Sequence, residues 1–206
     1  MTEQLQILPL ALTMVLGPQI ATSVFLVTSE KPVKNSLAYI AAVLIAASLG
    51  LAIWFALAGA IGIESKDDDA GPSTADYVVA AALALLAVRV FVTRGEAEPP
   101  KWMSKLQTAE PRFAFTLGLL LILLMPTDIA ATIATASYLT EAGLEWIDGW
   151  PLVAATTALI ALPFAAFMLL GERARRAMPG LRDWMTNNAW LINLVVLVYF
   201  IYSILS

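Results

Sequence analysis

Six long apolar runs take up most of this 206-residue chain: Ile7–Thr28, Ser36–Ile61, Ala75–Val92, Phe113–Ser137, Pro151–Leu170 and Ala189–Leu205. A helix needs about 20 mostly apolar residues to cross a hydrocarbon core about 30 Å thick, and each run meets or approaches that length. Barrel strands would alternate apolar and polar residues over about ten positions. These runs do not alternate, so they read as helices, whose backbone groups pair within the segment. Hydrophobic residues make up 60% of the sequence and charged residues 14%, a balance foreign to a soluble domain of this size. The fold class is therefore an all-α membrane protein with six transmembrane helices.

The basic residues orient the spans. Lys31 and Lys34 follow the first, Arg94, Lys101, Lys105 and Arg112 follow the third, and Arg173, Arg175, Arg176 and Arg182 follow the fifth. Those loops hold ten of the twelve Lys and Arg residues. Outside them are Lys66, in another loop, and Arg89, within the third span. Basic loops stay in the cytoplasm, so the expected location is the plasma membrane, multi-pass, with both termini outside. Met1 to Gln6 lacks a positive stretch, so the first span is expected to be retained rather than cleaved as a leader.

Cysteine and histidine are both absent. That excludes disulfides, thiol relays and imidazole metal sites, and no cofactor or metal is expected. An intramembrane enzyme is not expected either, since one buried carboxylate cannot supply dyad chemistry. The outward loops are acidic, with Glu64, Asp67, Asp68, Asp69 and Asp76 in one and Glu141, Glu145 and Asp148 in the other. They read as solvated surface or as an electrostatic funnel for cations.

A short motif occurs twice. Leu16-Gly17-Pro18-Gln19-Ile20-Ala21 in the first span aligns, with one residue inserted, with Leu124-Met125-Pro126-Thr127-Asp128-Ile129-Ala130 in the fourth. Three spans separate the copies, so the second half has the opposite orientation. The expectation is a 3+3 inverted repeat, as in many secondary transporters. Residues 1–95 form the first half, 96–112 a cytoplasmic linker and 113–206 the second half.

Proline inside a span removes an N–H donor and leaves the carbonyl four residues earlier without its helical partner. For Pro18 that carbonyl belongs to Met14, and for Pro126 to Ile122. Asp128 is the acidic residue set well inside a span, about 22 Å from the inner surface when counted from Phe113 at ~1.5 Å per residue. A carboxyl at such depth faces a cavity or a partner, or carries a proton. Arg89, about 12 Å away in depth by the same count, is better placed to snorkel to the inner surface. The candidate substrate-binding residues are Pro18, Gln19, Pro126, Thr127 and Asp128. Thr132, Thr135, Thr156, Thr157 and Asn193 read as helix contacts or pathway lining. The segment from Gly171 to Asn188 reads as an interfacial element, broken in two by Pro179-Gly180.

Three stretches resemble the LysE superfamily of exporters, and within it the GAP family, also called the Sap or peptidoglycolipid-addressing proteins. They are Leu10-Ala11-Leu12-Thr13-Met14-Val15-Leu16-Gly17-Pro18 with Thr28-Ser29-Glu30-Lys31-Pro32; Leu124-Met125-Pro126; and Gly171-Glu172-Arg173-Ala174 with Leu181-Arg182-Asp183-Trp184-Met185 and Asn187-Asn188. The resemblance implies export of a glycolipid or another amphiphile toward the cell surface. Other branches imply export of an amino acid or cation, and a non-transporting assembly subunit is the remaining alternative. The partners expected are membrane lipids, a lipid-like or small cationic substrate and a second copy of the chain in a homodimer, with no nucleic acid.

Overall fold

A computed structural model describes residues 8–15, 18–61 and 105–188, together with 81, 84–85, 87–89, 91–92, 191, 194 and 198. Among these residues the regular structure is helical. The helices are α1 (Leu8–Val15), α2 (Pro18–Val27), α3 (Pro32–Ile61), α4 (Pro111–Leu124), α5 (Pro126–Glu141), α6 (Trp150–Leu170) and α7 (Glu172–Asn187), with a 3-10 turn at Trp146–Gly149 before α6. The chain groups into two compact units: residues 1–65 with 101–182, and residues 66–100 with 183–206.

Proline starts most of these helices. Pro18, Pro32, Pro111 and Pro126 each occupy the first helical position, and Pro151 lies next to the start of α6. There the missing N–H costs nothing, because first-turn donors have no intrahelical partner. Glycine ends two of them. Gly143, at φ 65°, follows α5. The Leu144 N–H donates to the Leu139 carbonyl at 2.8 Å and the Gly143 N–H to Thr140 at 3.2 Å, the paired bonds of a Schellman stop. Gly171, at φ 51°, ends α6.

In the first unit α3 packs against α4, α5 and α6, while α1 and α2 pack on α6. The buried face of α3 runs Tyr39, Ala42, Val43, Ala46, Ala47, Gly50 and Leu51, the three-and-four spacing of one helical stripe. Small residues on it let α4 approach closely. A Cβ placed on Gly118 of α4 would stand 2.8 Å from the Ala42 Cβ and 3.2 Å from the Tyr39 carbonyl oxygen. The opposite face exposes Leu37, Ile45, Leu49 and Ile53. An apolar face of that extent has no place in water and fits lipid.

Two helices are long and apolar enough to cross a membrane, Pro32–Ala58 and Trp146–Leu170. A third crossing follows if α4 and α5 count as one broken span, bent by 60°. The apolar runs at Ala75–Val92 and Ala189–Leu205 fall largely outside the described residues, as does Asn193. In the second unit the described part of 81–92 is helical; Ala87 is buried and Arg89 exposed.

Two local expectations change. Pro126 does not lie within a continuous helix; it starts a new one. Met125, held extended at φ −71°, ψ 127°, obeys the restriction on residues preceding proline. Pro179-Gly180 does not break the segment after Gly171, for α7 runs through both. Pro179 is exposed, so solvent can satisfy the carbonyl it leaves without a partner. Arg173, Arg176, Leu181 and Trp184 are exposed along this helix.

Candidate functional site

Both copies of the proline motif lie at helix starts. Pro18 opens α2 and Pro126 opens α5, so Gln19 and Asp128 each sit in a first turn. The Asp128 and Ile129 N–H groups both donate to the Met125 carbonyl, at 3.1 and 3.0 Å, which closes that turn. A first turn carries unpaired N–H groups and the positive end of the helix dipole. An acidic side chain there is stabilised, and Asp128 supplies it.

The structure brings the two motifs together. The Gln19 Nε2 donates to Asp128 Oδ2 at 2.7 Å, and both side chains are 0% exposed. Thr127, beside Asp128, offers its hydroxyl to Oδ1 at a long 3.4 Å. Around this pair the hydroxyls bond to the backbone. Thr22 donates to the Pro18 carbonyl at 2.6 Å and Tyr39 to the Gln19 carbonyl at 2.9 Å. Thr132 donates to the Asp128 carbonyl at 2.8 Å, and Ser23 to the Ile160 carbonyl at 2.7 Å. The Ser23 bond lands one residue from the carbonyl of Leu159, which Pro163 inside α6 deprives of its helical donor. Thr156 reaches the Met14 sulfur at 3.7 Å. A group of polar side chains thus lies within the otherwise apolar interior of the first unit, whose outward helix faces are also apolar.

One polar atom of the pair has no partner: the Gln19 Oε1 is buried without a hydrogen bond. An unpartnered buried acceptor is uncommon in a folded protein and marks a place that a ligand or water can satisfy.

A second polar cluster joins two basic loops. The Asn35 Nδ2 donates to the Ser29 Oγ and the Ala109 carbonyl, each at 2.9 Å. The Glu30 N–H donates to the Gln107 carbonyl at 3.0 Å. These bonds tie the turn after α2 to the segment before α4.

Of the residues singled out from sequence, Gln19, Thr127 and Asp128 meet in one hydrogen-bonded group, with Pro18 and Pro126 starting the helices that carry them. Thr132 joins them through the Asp128 backbone, and Thr135 is buried with its hydroxyl on the Ala131 carbonyl at 2.9 Å. Tyr39 and Asn35 escaped sequence reasoning. The stripe Tyr39, Ala42, Val43, Ala46 was the available signal for Tyr39, because it assigns that hydroxyl to a buried face.

The pair also sets a stability expectation. Gln19→Leu leaves a buried carboxyl group short of its donor, at a cost of about 1–3 kcal/mol. The double change with Asp128→Leu removes both partners and should recover much of that loss. Thermal unfolding of the two variants in detergent checks it; equal losses in both would mean the pair is not coupled.

A family model described as Sap, sulfolipid-1-addressing protein, matches residues 7–206. The chain belongs to that family, as its proline motifs and basic last loop led one to expect. No curated protein and no solved structure matches it.

Proposed function

We propose that this protein is an exporter that carries a glycolipid or related amphiphile toward the cell surface, with the Gln19–Asp128 pair meeting the headgroup. One observation carries the reading. Two proline-started helices, one from each sequence half, hold a fully buried Gln–Asp pair at 2.7 Å within a bundle whose exterior is apolar. Burying polar groups inside a membrane protein is costly, and they are kept where something polar must pass or bind. The family's description, sulfolipid-1 addressing, supports a sugar-bearing lipid as the cargo.

In this reading the chain crosses the membrane six times as two inverted halves. Each half contributes one broken helix to a midplane site, the arrangement by which discontinuous helices bind substrate in secondary transporters. The ten basic residues of three loops support a cytoplasmic side for those loops and an outer side for both termini.

Proteoliposomes made with the full chain test the reading. A glycolipid with a fluorescent headgroup should move between leaflets faster than in protein-free vesicles. Tags at both ends should be protected or cleaved together, and opposite to the loops at Lys31 and Lys105. Protein-dependent movement of an amino acid or cation without the glycolipid would shift the assignment to a solute exporter. No protein-dependent movement of any of these would point to a non-transporting subunit.

A further inference from the structure

We propose that the buried site is an acceptor site: it grips a hydroxyl of a carbohydrate headgroup as a hydrogen-bond donor and leaves any anionic substituent of that headgroup outside. The proposal rests on the reading of the protein as a lipid exporter and adds how the cargo is recognised.

The hydrogen-bond inventory of the cluster carries it. The Gln19 amide turns its NH2 to Asp128, where a carboxyl oxygen accepts it at 2.7 Å. Its carbonyl oxygen therefore faces the other way, and that oxygen is buried without a partner. The neighbouring hydroxyls do not supply one. Thr22, Tyr39, Thr132 and Ser23 have each committed their hydrogen to a backbone carbonyl. A hydroxyl has one hydrogen and two lone pairs, so each now offers only lone pairs to a ligand. Within this set the second hydrogen of the Gln19 amide is the one side-chain donor left. A sulfate or phosphate needs several donors or a cation, and a buried site penalises its charge as well.

The start of α5 does not reverse this. The positive end of α5 would attract an anion, but Asp128 in its first turn already fills that role. A sugar hydroxyl supplies what is missing, one hydrogen for Oε1, and enters neutral. An ammonium would also donate, but it brings a charge into a buried site, at a cost that a hydroxyl avoids.

Three dialkylglycerols with identical chains, in proteoliposomes of the full-length protein, decide the matter. One carries glucose, one the same glucose with every hydroxyl methylated, and one a primary ammonium group. Methylation keeps every oxygen acceptor and removes every donor. The glucosyl lipid should cross about tenfold faster than the methylated one, the effect of losing one good hydrogen bond, and faster than the ammonium lipid. In Gln19→Met, which is near in shape but lacks Oε1, the glucosyl lipid should slow to the methylated rate. Equal wild-type rates for the glucosyl and methylated lipids would overturn the proposal and leave the exporter reading standing. So would a faster ammonium lipid. No protein-dependent crossing of any of the three would overturn the exporter reading as well.

Discussion

Asp128→Asn should reach the membrane at the wild-type level and export its cargo about tenfold more slowly, the effect of losing one good hydrogen bond to the cargo. Asparagine has nearly the shape of aspartate, and its Oδ1 can still accept from the Gln19 Nε2 that lies 2.7 Å away. The packing and the Gln19 hydrogen bond therefore survive, and α5 keeps its start at Pro126. What goes is one of the two carboxyl oxygens that face the Gln19 Nε2 and the Thr127 hydroxyl, replaced by an NH2 that can only donate. With a partner that can present either an oxygen or an NH2, the Gln19 side chain is free to turn over, and Oε1 is no longer committed to a ligand. Surface expression and glycolipid export measured on the same cells check this. Normal export by a normally inserted variant would make Asp128 a packing residue and detach the polar cluster from transport.

Gly118→Ala should destabilise the protein by about 1–3 kcal/mol, the usual cost of overfilling a close-packed contact. The added methyl would stand 2.8 Å from the Ala42 Cβ, 3.0 Å from the Tyr39 ring and 3.2 Å from the Tyr39 carbonyl oxygen. Neither a Cβ nor a backbone oxygen can swing aside, so α3 and α4 must separate. That shift moves Tyr39, whose hydroxyl holds the Gln19 carbonyl at 2.9 Å, so activity should fall with stability. Gly50→Ala is the control. Its methyl would meet only the Leu123 and Thr132 side chains at 3.7 and 3.8 Å, ordinary contact distances. There the gain from replacing a helical glycine, about 0.5–1 kcal/mol, should leave the protein as stable as wild type or more so. Thermal unfolding of both variants in detergent is the measurement, and a Gly50→Ala loss as large as that of Gly118→Ala would contradict the packing argument.

How legible all this was from sequence differs from residue to residue. The runs that became α3 and α6 were plain, because continuous apolar sequence of that length permits little else. The grouping of Gln19 with Asp128 was legible because each follows a proline in an aligned motif, and they are hydrogen-bonded. Whether those prolines kink a helix or start one was not legible. The answer lies in the backbone of Met125, extended at ψ 127°, and a residue before proline can take that form or be held helical by its surroundings. Tyr39 was hidden for another reason. Its partner is a backbone carbonyl on a different helix, 20 positions away in sequence, and backbone acceptors leave no mark on composition. Pro179 misled because a helix breaker was judged without its exposure; at the surface of α7 the helix continues through it.

The central claim is that cargo passes the place where α2 and α5 begin. Cross-linking tests it most directly: a glycolipid with a photoreactive headgroup, loaded into membranes holding the full-length protein and mapped by mass spectrometry after illumination. Labelling is expected within residues 18–23 and 126–132, reduced by an excess of unlabelled glycolipid. Labelling confined to the outward face of α3 around Ile45, Leu49 and Ile53, and indifferent to that excess, would show a lipid that only surrounds the protein and would contradict the account.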